Sequence, residues 1–347
     1  MESGILTENG ALNVKNRCGV IGLGQMGIQH AAILSVLTGH SVCAYDPNER
    51  LLGVAKKVAK NICAHSTLDD LLDQNDLSAV FLCTPVHTHA SLVETVNERC
   101  SGELSVFVEK PLSIDCRSAT ELASLIFKSN RTGMVGFQKR FNGVYAKVKE
   151  LLSRDLIGNV RFYRGHAFSY DVPRKEKGRK FEPPDGGVTL DFGAHVIDLL
   201  IWLFGEPQMN SSFKASVFSS GVEDYVHTVL NHRGLRGSVD IGWSMRNYAP
   251  NEHQIEIHGT LGTILADDDL LTLYLDKPGE GGLEEGFHSY SSFDLTKPVP
   301  YLFSSPEYVL EDQYFLECIR SGAQPHPSFS EAAKVNKLLD EIRSKSY

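Results

Sequence analysis

Cys18-Gly19-Val20-Ile21-Gly22-Leu23-Gly24-Gln25-Met26-Gly27, near the start of a 347-residue chain, decides how the first half must fold. A short apolar run of strand character enters a glycine-rich turn, and residues 28–37 continue as an apolar, helix-compatible segment. In a G-x-G-x-x-G turn the first glycine permits the bend and the second lets the backbone approach a pyrophosphate. The third lets the helix lie close on the strand. The helix start then presents free N–H groups and a positive dipole end to the phosphates. Alone, the pattern is weak in a chain with 30 glycines; its place between strand and helix gives it weight. A second strand over 41–45 ends at Asp46, about 20 residues past the glycines, where a carboxylate accepts from both ribose hydroxyls and repels a 2′-phosphate. No arginine follows at once, and Glu49 precedes Arg50, so NAD(H) is favoured over NADP(H). The competing reading of Asp46 is a helix N-cap.

Working outward, strands and helices alternate. Helical signals cover 51–59, 68–72, the stretch to about 98, and 117–127. Strand signals fall at 62–64, 77–83, 106–109 and 134–137. Alternation of this length means a parallel, doubly wound sheet. The strand Val106-Phe107-Val108-Glu109 delivers Lys110 to its carboxyl end before Pro111 stops it, and ligands bind at that edge of such sheets. A lysine there, in the sheet that carries the glycine turn, suggests an acid–base group beside a nicotinamide.

After residue 138 the pattern changes. A helix at 144–152 leads to an alternating strand at 160–168, then a basic loop and an apolar helix near 190–204. Strand runs without intervening helices follow from 213 to 275, which implies an antiparallel sheet. Residues 276–305 read as a surface excursion, and two helices, 306–320 and 330–343, close the chain. Within Gly186-Gly187-Val188-Thr189-Leu190-Asp191-Phe192-Gly193-Ala194-His195, Asp191 and His195 stand one helical turn apart, a spacing that suits an acid–base pair or an ordinary helix pair. The basic run Arg174 to Lys180 precedes them and is either a solvated loop or a clamp for an anionic substrate group.

Composition limits the alternatives. The length calls for two domains, and no stretch reaches the roughly 20 apolar residues of a membrane span. Residues 1–14 read as a polar tail rather than a signal peptide. A net charge of −9 argues against general nucleic-acid binding. Seven cysteines without a C-x-x-C pair fit a reduced, cytoplasmic protein, with Cys18, Cys43, Cys63 and Cys83 packed as small hydrophobes. His87 and His89 lack a third ligand, so no metal is expected.

Gly22 to Gly27, Thr84-Pro85 with His89, Glu109-Lys110-Pro111, Gly136-Phe137 with Arg140-Phe141-Asn142, and the run from Gly186 to Pro207 occur in one order. In that order, over residues 16–345, the chain resembles the glucose–fructose oxidoreductase / inositol dehydrogenase / rhizopine-catabolism (Gfo/Idh/MocA) family. Val86 departs from the polar residue common after Thr-Pro. The resemblance implies an α/β protein with a Rossmann domain over 15–138. A second, α+β domain with a large, mostly antiparallel open sheet would cover 139–347, and its closing helices could return to the Rossmann domain. It also implies NAD as cofactor, held by Gly22, Leu23, Gly24, Gln25, Met26, Gly27, Asp46, Cys83, Thr84, Pro85, His89, Glu109 and Lys110. Catalysis would fall to Lys110, Asp191 and His195, with Arg140 structural or facing the substrate. His195 would take the alcohol proton, Asp191 would orient it, and Lys110 would donate to the developing alkoxide. The implied substrate is a polyhydroxylated small molecule (sugar, cyclitol, sugar acid or nucleotide sugar), and the implied assembly a homodimer or homotetramer. An NAD-dependent glycosidase working through transient C3 oxidation and a non-catalytic sensor are the alternatives.

Overall fold

A computed structural model describes residues 17–59, 61–100, 104–170, 186–219, 221–248, 251–279, 281–299 and 305–344. The expected N-terminal tail and the basic run Arg174 to Lys180 lie outside them. The chain forms two compact units, 1–138 with 298–333, and 139–297 with 334–347.

The first unit begins β1 (Arg17–Ile21), α1 (Gln25–Leu37), β2 (Val42–Tyr45), α2 (Glu49–Val58), β3 (Ile62–Ala64), α3 (Leu68–Leu72) and β4 (Leu77–Leu82). It continues with α4 (His89–Arg99), β5 (Ser105–Glu109), α5 (Cys116–Lys128) and β6 (Gly133–Gly136). Strand order β3-β2-β1-β4-β5-β6, all parallel, is the doubly wound sheet that the alternation predicts. Its central strands β4 and β5 are buried over most of their length and mainly apolar, because helices cover both faces. Three helices start on side-chain caps, with Asn48, Thr67 and Asp115 each accepting a backbone N–H one turn in.

The second unit opens with α6 (Gly143–Ser153) and β7 (Phe162–Phe168), then α7 (Ala194–Phe204). Strands β8 (Gln208–Ala215), β9 (Tyr225–His232), β10 (Leu235–Gly242), β11 (Glu252–His258), β12 (Gly262–Ala266), β13 (Leu270–Leu275) and β14 (Gly286–Ser291) follow, with a short α8 (Ser292–Leu295). They form one eight-stranded sheet in the order β14-β13-β12-β11-β7-β10-β9-β8. Only the β10–β7 pair is parallel. The burial of β9 alternates strictly along its length, so one face is buried and the other half-exposed. One expectation needs correction here. The excursion at 276–305 contains edge strand β14 and α8, whose alternation is masked by Gly, Ser and exposed aromatics. Tyr163 and Trp243 are fully buried core residues.

The closing helices are α9 (Pro306–Ser321) and α10 (Phe329–Ser344). The expected second domain, 139–347, is interrupted, because 298–333 belong to the first unit, where α9 lies against α1. Among the described residues no helix is long and apolar enough to cross a membrane.

Candidate active site

The glycine turn has the geometry a dinucleotide needs. Gly22 has a φ of +88°, and a Cβ on Gly27 would stand 1.8 Å from the Gly22 carbonyl oxygen, so neither position admits another residue. Gly24, at the N-terminus of α1, has open space where a side chain would be, which leaves its backbone accessible to a pyrophosphate. Asp46 follows β2 and accepts the Leu23 N–H at 2.7 Å through Oδ2 and the Asn48 N–H at 2.8 Å through Oδ1. Its carboxylate is thereby fixed beside the glycine turn. The cap of α2 is Asn48, not Asp46. Leu23 is buried, whereas Gly24 and Gln25 are exposed and Met26 half-buried. These residues fit NAD.

The Cys83-Thr84-Pro85 turn leaves β4 at the same sheet edge, and a Cβ on Gly22 would meet both Thr84 and the Cys83 carbonyl. His89, expected to reach the cofactor, is only 1% exposed. Its Nδ1 stands 3.0 Å from the Pro111 carbonyl and its Nε2 2.9 Å from the Thr84 carbonyl. Burial lowers its pKa, so the neutral ring donates to one of the two. In this position His89 braces the Thr84-Pro85 turn against the segment after Lys110.

Lys110 is half-buried at the carboxyl end of β5. Its backbone N–H donates to Glu109 Oε2 at 3.0 Å. Glu109 Oε1 lies 3.0 Å from His30 Nε2, and His30 Nδ1 faces Asp312 at 2.8 and 3.0 Å. The His30 ring is fully buried against the stacked pair Phe81 and Phe107. Burial works against its charge, yet the carboxylates of Asp312 and Glu109 outweigh it and hold its pKa well above the usual 6.5. Beside it, the Glu311 carboxyl has no hydrogen-bond partner among the described residues, and burial, reinforced by Glu109, pushes its pKa well above 4.5. This network joins α1, β5 and α9, and of its members only Glu109 lay within a recognised motif. Its members are far apart in the chain, and His30 reads as one polar residue on an apolar helix.

In the second unit, Thr189–Gly193 form a π-helical turn that runs directly into α7. Such turns recur at functional sites because the wider coil re-aims side chains. Glu223 secures its start by accepting the Thr189 N–H at 3.1 Å. Asp191 sits in the turn and His195 in the first turn of α7, both half-buried. The His195 ring meets His253 edge-on at 5.5 Å, and Phe192 stacks on the same His253 at 5.7 Å. His253 Nδ1 lies 3.3 Å from Asp268, which takes Lys139 Nζ at 2.7 Å and the Tyr145 hydroxyl at 3.1 Å. Burial alone would raise the Asp268 pKa, but His253 and Lys139 together hold it well below 3.8. Arg140 forms a buried two-point pair with Asp198, at 2.8 and 2.7 Å, so its guanidinium is spent on structure. Lys139, His253, Asp268 and Glu223 were not foreseen. Only Lys139, next to Arg140, lay within a recognised motif.

Two family descriptions match the chain: the oxidoreductase family with NAD-binding Rossmann fold over residues 16–137, and the GFO/IDH/MocA C-terminal domain over 145–265. The scyllo-inositol 2-dehydrogenase (NAD(+)) of Bacillus subtilis (strain 168) is 28% identical over 323 residues, 89% of this chain and 87% of that protein. The myo-inositol 2-dehydrogenase of Thermotoga maritima is 26% identical over 340 residues, 95% of this chain and 96% of that one. Levoglucosan dehydrogenase, solved with NADH and levoglucosan, superposes with a TM-score of 0.83 at 23% identity, over 95% of this chain and 96% of that one, and so shares the fold. With its glycine turn, fixed Asp46 and matched second domain, the chain belongs to the Gfo/Idh/MocA family of NAD-dependent oxidoreductases.

Proposed function

We propose that the protein oxidises or reduces a secondary alcohol on a cyclitol or sugar, with Lys110, Asp191 and His195 as its acid–base residues. The observation that carries this reading is the mounting of Lys110. Its main chain is fixed through Glu109 to a buried, charged His30, at the sheet edge where the glycine turn also opens. A lysine so held can stabilise a developing alkoxide without reorganising at the moment of reaction. His195 is the base for the hydroxyl proton, and Asp191 orients it or binds a neighbouring substrate hydroxyl. Bound NAD supplies the hydride acceptor. The relatives named as inositol dehydrogenases support the cyclitol class.

The test is NADH absorbance with NAD⁺ and a panel of cyclitols, sugars, sugar acids and nucleotide sugars. Turnover with one substrate group is expected, and Lys110→Ala should lower kcat by roughly 10²–10⁴-fold, the usual scale for such groups. Silence across the panel, or near-normal turnover in Lys110→Ala, would sink the reading. Glycoside cleavage without NADH would move it to the redox-assisted hydrolase.

We also infer that the half-exposed face of the eight-stranded sheet pairs with a second copy. Phe162, Phe213 and Leu265 stand on it, 41%, 53% and 40% exposed. Light scattering should give a dimer or tetramer, and Phe213→Asp should weaken it; a wild-type monomer would refute the pairing. All seven cysteines are free thiols, which supports a reducing, cytoplasmic setting.

A further inference from the structure

Cys43 and Cys63 stand directly opposite each other on neighbouring parallel strands, β2 and the three-residue edge strand β3. Side chains alternate faces along a strand, so His65, two residues beyond Cys63, shares its face. Its backbone N–H is tied at 2.9 Å to the carbonyl of Ala44, which holds this segment in line with β2. The result is a cluster in which the two sulfurs and a ring nitrogen of His65 all lie within 4.8 Å of one another. His65 Nε2 is shielded from solvent and has no hydrogen-bond partner among the described residues. An isolated buried nitrogen is costly unless something occupies its lone pair or N–H.

We propose that Cys43, Cys63 and His65 form a binding site for a thiophilic divalent cation of the zinc class. Two thiolates and a neutral imidazole are zinc's preferred donors, and their charge balances a divalent ion. The fourth position of the tetrahedron is left to water. With metal–sulfur distances of about 2.3 Å and metal–nitrogen distances of about 2.0–2.1 Å, the donors must draw together by roughly 1 Å. Cys63 and His65 can do so because they are half-buried on a short edge strand. Binding displaces the two thiol protons to solvent, and the ion gains two sulfur bonds and one nitrogen bond with no change in oxidation state.

The surroundings are consistent. Arg17, whose charge reaches Cys43, is held by Asp76 at 2.7 and 2.8 Å. Structurally, an ion here would clamp β3, which three residue pairs join to the sheet, onto the strand that ends at Asp46.

The experiment uses the full reduced chain. Zinc affinity and stoichiometry are measured by competition with a chromophoric chelator, and cadmium reports thiolate bonds by charge-transfer absorbance. One ion per chain is expected, with a cadmium band that falls by about half in Cys63→Ser. Affinity should drop more than about 100-fold in both Cys63→Ser and His65→Gln, beyond the scale seen when only an outer partner of a ligand is lost. Cys100→Ser and Cys116→Ser should leave binding unchanged. These substitutions touch half-buried or peripheral positions, and circular dichroism checks that each variant is folded. Absence of stoichiometric binding in the wild type, or binding indifferent to Cys63→Ser and His65→Gln, would overturn the site. Neither result depends on turnover.

Discussion

Both units bury charge behind the residues assigned to chemistry, but they balance it in opposite ways. Behind Lys110, Glu109 and Asp312 flank one buried cation, His30, and burial beside them pushes the Glu311 carboxyl toward its protonated form. Behind Asp191 and His195, Arg140 faces Asp198 and Lys139 faces Asp268, so each carboxylate has its own permanent cation. The lesson is that the two networks respond to pH with opposite sign. A proton-retaining cluster weakens as pH rises, whereas a matched ion pair weakens as pH falls.

The largest expected effect comes from removing the shared cation. His30→Ala leaves Glu109 and Asp312 buried without their partner, and breaking a buried pair costs about 3–5 kcal/mol. Denaturant melts should show that loss, and kcat should fall more than KM rises, because Glu109 no longer fixes the Lys110 main chain. An unchanged kcat in folded His30→Ala would separate the network from the chemistry.

Next, the carboxyls themselves can be contrasted. Asp268→Asn strands Lys139 and is expected to cost roughly 3 kcal/mol. Glu311→Gln removes the charge of a carboxyl that burial already pushes toward its neutral form, and should cost under about 1 kcal/mol at pH 7. Equal losses would erase the distinction between the two networks.

The pH dependence itself is a finer test, read by hydrogen exchange in each unit after correction for intrinsic rates. Glu311 has a folded pKa above its usual 4.5, so its contribution is complete below 4.5 and is lost as pH rises through the folded value. His30, raised above 6.5, adds a second loss at higher pH. Asp268 is depressed below 3.8, so its contribution is present above 3.8 and disappears only as pH falls through the folded value. Protection in the first unit should therefore decline from mildly acidic to alkaline pH, while the second unit holds until strong acid. Parallel declines would contradict the assignment.

A last effect, confined to binding, concerns the cofactor. Asp46→Ala should weaken NAD⁺ binding by about 2 kcal/mol, the worth of a charged hydrogen bond, and narrow the gap to NADP⁺. Equilibrium binding to both cofactors measures it.

How far the sequence could be read follows from the range of the interactions involved. The glycine turn, the strand ending at Lys110 and the alternation of β9 are legible because each depends on neighbours within a few residues. A Cβ at Gly27 collides with Gly22, five positions away, and that constraint is written in the local pattern. Arg140 was legible as a motif residue, but its role was not, since Asp198 lies 58 positions further on. The burial of Tyr163 was not legible in the alternation of its strand, because it is decided by what lies on the strand, here Phe204 stacked at 4.8 Å.

By itself, then, the sequence determined a doubly wound sheet with a dinucleotide turn, a second antiparallel domain, and Lys110, Asp191 and His195 as candidates. Periodicity and turn chemistry act over short distances along the chain. Only the tertiary structure decided that 298–333 return to the first unit, where α9 brings Asp312 to His30 across 282 positions, and that Cys43, Cys63 and His65 share one face. Those juxtapositions depend on strand register and helix docking, which satisfy the buried charges of distant segments and leave no periodic trace in the sequence.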